Sequence, residues 1–455
     1  MVYNLSVFSD TGYRGTSKKL TTLSSTMLSA ITGVNPHTAI TEKTISVPYR
    51  TIRPRPRNIL VCVIGDPSLP TDTVVPPAGL CTFYFYRPVE TPTPFAQSSL
   101  GWQWILKLAS DHSAASKYGV DISERHVNLW NTHLLNQADR NVISTYKSSG
   151  VVSYSVFDTM LACDRTHDAT TDIIKVLKTL HGIPGSPSSQ AGQDTLDVIM
   201  IGVSPLRSAV KTCGQILRDH VLRLVRKLNP YAVLFRSTYM APPDCMQPAC
   251  TPICKLPGMS IWNGSEIDDQ PSMVDALEFK GSVFLPSSTL PMLSFSPRGR
   301  MIGMPGCHLC EWSEGQRNIP QCTHAYSMRT ASYVCRGGSR YCQLNSWPQQ
   351  RSKDIHGVQE LLRNIYFTRI LAYETNATLT FKMCNAAKYF GFDGSWVIFD
   401  MEYLDTTNVC RDQVFADSFA IVHWVKKHME SNFYTCDGIW RTSLVENDST
   451  TCIFG

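Results

Sequence analysis

Residues Phe392–Tyr403 read FDGSWVIFDMEY, and the chemistry they could carry is that of paired carboxylates. Side chains alternate along a strand, so Asp400 and Glu402, two apart, leave the same face, with Asp405 close behind. Two carboxylates at a strand end can divide acid and base work between them; acids that are merely solvated or paired with a basic neighbour give the same pattern. A second constellation is CHLC, Cys307 to Cys310, followed after eleven residues by Cys322 and His324. Its C-x2-C and C-x-H spacing is close to a tetrahedral zinc set. No glycine-rich phosphate loop stands in a strand, turn and helix context, since GQDTL and GSRYC both lack it. The twelve histidines are too scattered to define a nucleophile and its base.

The cysteines and sequons speak against zinc. Sixteen cysteines run from Cys62 to Cys452, with N-x-S/T sequons at Asn4, Asn263, Asn376 and Asn447. Together they point to an oxidising, glycosylating compartment and to disulfides, hence an extracellular protein with glycans at Asn263, Asn376 and Asn447. The opening MVYNLSVFSD has neither a basic n-region nor an apolar h-region, so secretion or membrane tethering requires an upstream segment. No apolar run reaches the roughly 20 residues needed to span a bilayer. The net charge of +5 is small for 455 residues, and the basic residues are scattered, which argues against nucleic acid as the partner.

These residues need elements to position them. Residues 1–57 are rich in Ser and Thr, end in PYRTIRPRPRN, and read as a disordered N-terminal arm or linker. From 58 to 455 the chain reads as one domain. Apolar runs at 59–65, 81–86, 151–157, 196–203, 231–240, 291–296 and 395–403 alternate with helical stretches at 102–112, 170–180, 206–228 and 354–374. That alternation predicts an α/β fold with a parallel sheet buried on both faces. In 206–228 the buried stripe is read as Ile216, Val221, Leu224 and Val225. The segments 241–280 and 299–350 read as long loops braced by disulfides among eight cysteines.

The order of these motifs resembles the glycoside hydrolase family 18 chitinases and chitinase-like proteins, in particular their divergent arthropod branch. ILVCVIG and LCTFYFY are similar to the family's first two strands, which implies a Cys62–Cys81 disulfide; buried free thiols are the alternative. Ser237–Met240, STYM, resembles the family's M-T-Y-D strand end, which implies substrate contact by Tyr239 with the Asp replaced by Met240. FDGSWVIFDMEY resembles the eighth strand, giving Asp400 and Glu402 a substrate-binding role. There the floor tryptophan falls at Val397, and Trp396 is one position off, on the opposite face. It cannot be the fourth strand, because the 53 residues after Glu402 do not hold four more units of about 30 residues each.

The resemblance places the chemistry on the fourth strand, as D-x-x-D-x-D-x-E ending in the acid that protonates the glycosidic oxygen. The fourth apolar run offers Asp194 and Asp197 at the right spacing, then Ile199 and Ile201 where the inner Asp and the acid should stand. The expectation is therefore a (β/α)8 TIM-barrel-like domain with long disulfide-rich loops that has lost hydrolysis. It would need no cofactor and would bind a chitin-like or other glycan, or an extracellular protein. The alternatives are an active family 18 glycosidase on N-acetylglucosamine oligomers, using Asp400 and Glu402, and a zinc-stabilised binding protein. Only seven strands are read where a barrel needs eight. The eighth is sought in SVFLP (282–286) or in 119–148, failing which the barrel is incomplete.

Overall fold

The computed structural model describes residues 58–65, 77–88, 100–112, 115–161, 163, 166–185, 198–205, 207–237, 253–255, 273–297, 299–303, 318–320, 324–329, 349–354, 359–364, 369–374, 376–392, 394–401, 404 and 419–430. The arm expected over 1–57 lies outside them.

Eight parallel strands close into a barrel: β1 Leu60–Ile64, β2 Phe83–Tyr86, β3 Lys117–Asp121, β4 Val151–Leu161, β5 Ile199–Pro205, β6 Ala232–Phe235, β7 Leu290–Phe295 and β8 Ser395–Ile398. Each pairs with the next, and β8 pairs with β1 through Leu60↔Trp396 and Cys62↔Ile398. Among the described residues eight α-helices accompany them: α1 Leu100–His112, α2 Val127–His133, α3 Gln137–Ser148, α4 Thr166–Gly182, α5 Arg207–Leu228, α6 Met273–Ser282, α7 Asn376–Phe390 and α8 Ala420–Glu430. The strand ring is closed, and the fold is a (β/α)8 TIM-barrel-like one.

Period-two geometry sorts the strand residues into two cores. Outward residues such as Cys62, Tyr84, Tyr154, Ile201, Phe235 and Trp396 pack beneath the helices. Inward residues, including Val61, Phe85, Phe157, Met200, Leu234, Met292 and Val397, fill the barrel. Phe157 stands edge-on to both Phe85 and Phe399, at 5.3 and 6.1 Å between ring centroids, so the interior is solid.

Several expectations are corrected. The missing strand is KYGVD, Lys117–Asp121, which overlaps the start of the region 119–148, whereas SVFLP only leaves α6 and is not a strand. The helix expected over 354–374 is instead a pair of antiparallel strands, Gln359–Asn364 and Arg369–Tyr373, matched Glu360↔Tyr373 to Asn364↔Arg369. They belong to a five-stranded antiparallel sheet with Gln349–Asp354, Gly299–Gly303 and His324–Arg329, inserted between β7 and α7. The supposed loop 299–350 thus contributes strands to this sheet, and Ile253–Lys255 in the other loop pairs with Asn318–Pro320. On α5, Ile216 is 47% exposed and Leu217 takes its place on the buried stripe with Val221, Leu224 and Val225.

Two disulfides brace the barrel among the described residues. Cys62–Cys81 ties β1 to the approach of β2, as the resemblance implied, and Cys163–Cys213 ties the end of β4 to α5. Cys384 in α7 is disulfide-bonded as well.

Candidate functional site

β4 is the strand on which the site turns. Between Val156↔Ile201 and Thr159↔Val203 its register slips, so that Phe157 and Asp158 together face Gly202 of β5. A Cβ on Gly202 would lie 2.4 Å from the Phe157 carbonyl oxygen, so only glycine lets the bulge form. The bulge leaves Phe157 in the barrel and turns Asp158 to the rim at the strand's C-terminal end, the face on which (β/α)8 barrels build their sites.

There Asp158 meets the segment that leaves β3. Its Oδ2 accepts from Ser123 Oγ at 2.7 Å and its Oδ1 from Glu124 N at 2.8 Å, capping the short helical turn Glu124–His126. Glu124 answers by accepting from Met160 N at 2.9 Å. The last residue of β3, Asp121, is fully buried. Its Oδ2 accepts from Arg87 Nε at 2.5 Å, and its Oδ1 accepts from Ser155 Oγ and Phe157 N, both at 3.0 Å. This carboxylate therefore laces β2, β3 and β4 together.

From the other side come Arg236, after β6, and Asp400, after β8. The two guanidiniums bracket one ring: Arg236 Cζ lies 4.8 Å and Arg87 Cζ 5.3 Å from the centroid of Phe399. Asp400 has φ +60°, a left-handed conformation that Asp tolerates better than most residues, and its Oδ2 accepts from Ser296 Oγ at 2.5 Å.

Electrostatics assigns each group its state. Burial pushes Asp121 up to about 6, against the pull of Arg87. Burial acts on Asp158 in the same direction but is overcome by Arg87, Arg236 and the two hydrogen bonds, which hold it below the ordinary carboxylate value. Burial, then repulsion from Arg87, lowers Arg236 to about 9. Arg87 is raised, because Asp121 and Asp158 outweigh its own burial. At neutral pH all four are ionised, and the rim carries an ion network spanning five strands.

The expected site residues distribute as follows. Asp400 joins the network. Ile199 and Ile201 do not occupy inward positions of a fourth strand; they sit on β5, facing the helices. The loss of an acid cannot be read from them. Val397 points into the barrel and Trp396 away from it, as their register requires. Asp194, Asp197, Tyr239, Glu402, Asp405, Cys307, Cys310, Cys322, Asn263 and Asn447 lie outside the described residues, as do the side chains of His324, which opens a strand, and Asn376, which opens α7. No group of three metal-ligating side chains occurs among the described residues, and no described helix is long and apolar enough to cross a membrane. Arg87, Asp121, Asp158 and Arg236 are not among the expected residues, yet three have a signal, a charge directly after an apolar run, in FYFYR, SYSVFD and AVLFR; Asp121, at the end of KYGVD, has none.

With barrel and rim defined, solved structures give the match. The barrel shares its fold with chitinases. An immunomodulatory active chitinase from Trichuris suis superposes with a TM-score of 0.54 at 11% identity, covering 82% of this chain and 99% of that one. The Group IV chitinase of Ostrinia furnacalis in complex with allosamidin gives 0.53 at 12% identity over 82% and 99%. YKL-39, solved in the presence of chitooligosaccharides, gives 0.52 at 12% identity over 82% and 100%. No protein-family model and no curated protein matches the sequence.

Proposed function

We propose that this protein is a non-hydrolytic chitinase-like barrel of the glycoside hydrolase family 18 type that acts in an extracellular, oxidising setting by binding a glycan at the rim of the barrel. The observation that carries the reading is the composition of β4. The family's chemistry requires alternating inward carboxylates on the fourth strand, ending in the acid. Here the alternating positions are Ser153, Ser155 and Phe157. The strand's one carboxylate, Asp158, is kept deprotonated by two guanidiniums and two hydrogen bonds, so it has no proton to give. Loss of general acid catalysis alone costs roughly 10²–10⁴-fold in rate. A rim of aspartates, arginines and serines is instead suited to the hydroxyls of a sugar.

The reading is tested by incubating the full chain with fluorogenic chitobiose and chitotriose while the same preparation is applied to a glycan array. Array binding without turnover is the expected result. Turnover abolished by Glu402→Gln or by Asp158→Asn would overturn it.

A further inference from the structure

The basic residues are scattered by number but not by balance. Helix α5 carries six of them, Arg207, Lys211, Arg218, Arg223, Arg226 and Lys227, against the single acid Asp219. Its net charge of +5 equals that of the whole chain, so the remaining residues sum to zero. The neighbouring helix α4 extends this face. Thr170 Oγ1 contacts His220 Nδ1 at 3.2 Å, and Arg223 Nη2 donates to Thr171 Oγ1 at 3.4 Å, which fixes the two helices level at that height. One turn further along each lie Lys175 on α4 and Arg226 and Lys227 on α5, with Lys178 a turn beyond. Lys175, Lys178, Arg226 and Lys227 are exposed and Arg223 is half-buried. Cations in the last turn of a helix answer its dipole, which accounts for Arg226 and Lys227 but not for Lys175, placed well before the end of α4 at Gly182.

Both helices return from the rim, so this cluster stands at the opposite end of the barrel from Asp158 and Asp400. Neither helix contains a Phe, Tyr or Trp, so the face offers charge and hydrogen-bond donors but no platform on which bases could stack. The two disulfides fit an oxidising compartment, where extended polyanions are sulfated polysaccharides more than nucleic acids.

We infer that the outer face of α4 and α5 is a docking surface for a sulfated polysaccharide, separate from the rim and independent of what the rim binds. Multivalent phosphate or sulfate recognition by a cluster of Lys and Arg is driven by counterion release.

The test uses the full chain and dextran sulfate, with neutral dextran, a single-stranded DNA oligonucleotide and phosphatidylserine vesicles as the other arms. Binding to dextran sulfate but not to dextran is expected, weakening roughly a hundredfold between 50 and 200 mM salt for about five contacts. The variant Lys175→Glu, Lys178→Glu, Arg226→Glu and Lys227→Glu should lose at least tenfold at an unchanged melting temperature. The same four positions changed to Gln serve if the charge-reversed chain does not fold. No binding by the native chain, equal binding by the folded variant, or DNA or vesicles bound as tightly as dextran sulfate would overturn the inference. None of these outcomes touches binding of uncharged chito-oligosaccharides at the rim.

Discussion

Replacing Asp121 by Asn should flatten the pH dependence of stability in the mildly acidic range. The carboxyl is fully buried and its folded value, about 6, lies above its ordinary 3.8. A group raised in this way contributes stability that is complete below its unfolded value and fades as pH rises through its folded value. The gap corresponds to about 3 kcal/mol. Asp158 has the opposite sign: its contribution is present above the unfolded value and is lost only as pH falls through its lowered folded value. Between about pH 4 and 7 Asp121 therefore dominates these two. Urea unfolding of the native chain and of Asp121→Asn, at half-unit steps from pH 4 to 7.5, should show the native-minus-variant difference moving by about 2.5 kcal/mol in favour of the native chain as pH falls, most of the full gap. Parallel profiles would refute the reasoning, since they would mean that Asp121 does not titrate in this range.

Arg87→Met should cost about 3–5 kcal/mol in urea unfolding, because it leaves the buried Asp121 carboxylate without its guanidinium, and near-neutral pH should be where the loss is greatest. Gly202→Ala should cost at least about 1–3 kcal/mol by thermal melting, because its Cβ would drive the Phe157 carbonyl out of the β4 bulge. Removing Cys163–Cys213, whose partners are 50 residues apart, should cost roughly 4 kcal/mol against roughly 3 for Cys62–Cys81, 19 apart, measured on paired Cys→Ser chains in urea.

Most of the barrel is legible because parallel strands are apolar on both faces and stand out as short runs, as β1, β2, β4, β5, β6, β7 and β8 do. β3 is hidden by its own task. Its inward positions are not apolar: Gly119 admits the Ser153 backbone, where a Cβ would come within 2.4 Å of the carbonyl oxygen, and Asp121 carries the ion network. Missing that strand shifts the count by one, which is why the acid motif is sought in a run that ends on β5, at Ile199 and Ile201, instead of on β4. The strands at 359–373 are illegible for another reason. Leu361, Leu362, Ile370 and Leu371 fit a helical period as well as an extended one, and only pairing across the inserted sheet decides between them. Asp400 is found from its spacing, but Arg87 and Arg236 become partners only when the ring of strands brings them to one phenylalanine.

The seam between the first and last strands has a consequence for biosynthesis. Ile59 N donates to Ser395 Oγ across 336 residues of chain, and everything in the inserted sheet is made before that partner exists. The leading strand therefore emerges with an unsatisfied flank and keeps it until β8 has been made, a high-contact-order closure that slows folding and opens a window for aggregation. Chaperone dependence during synthesis should follow from this late stitch more than from any weakness of the finished barrel.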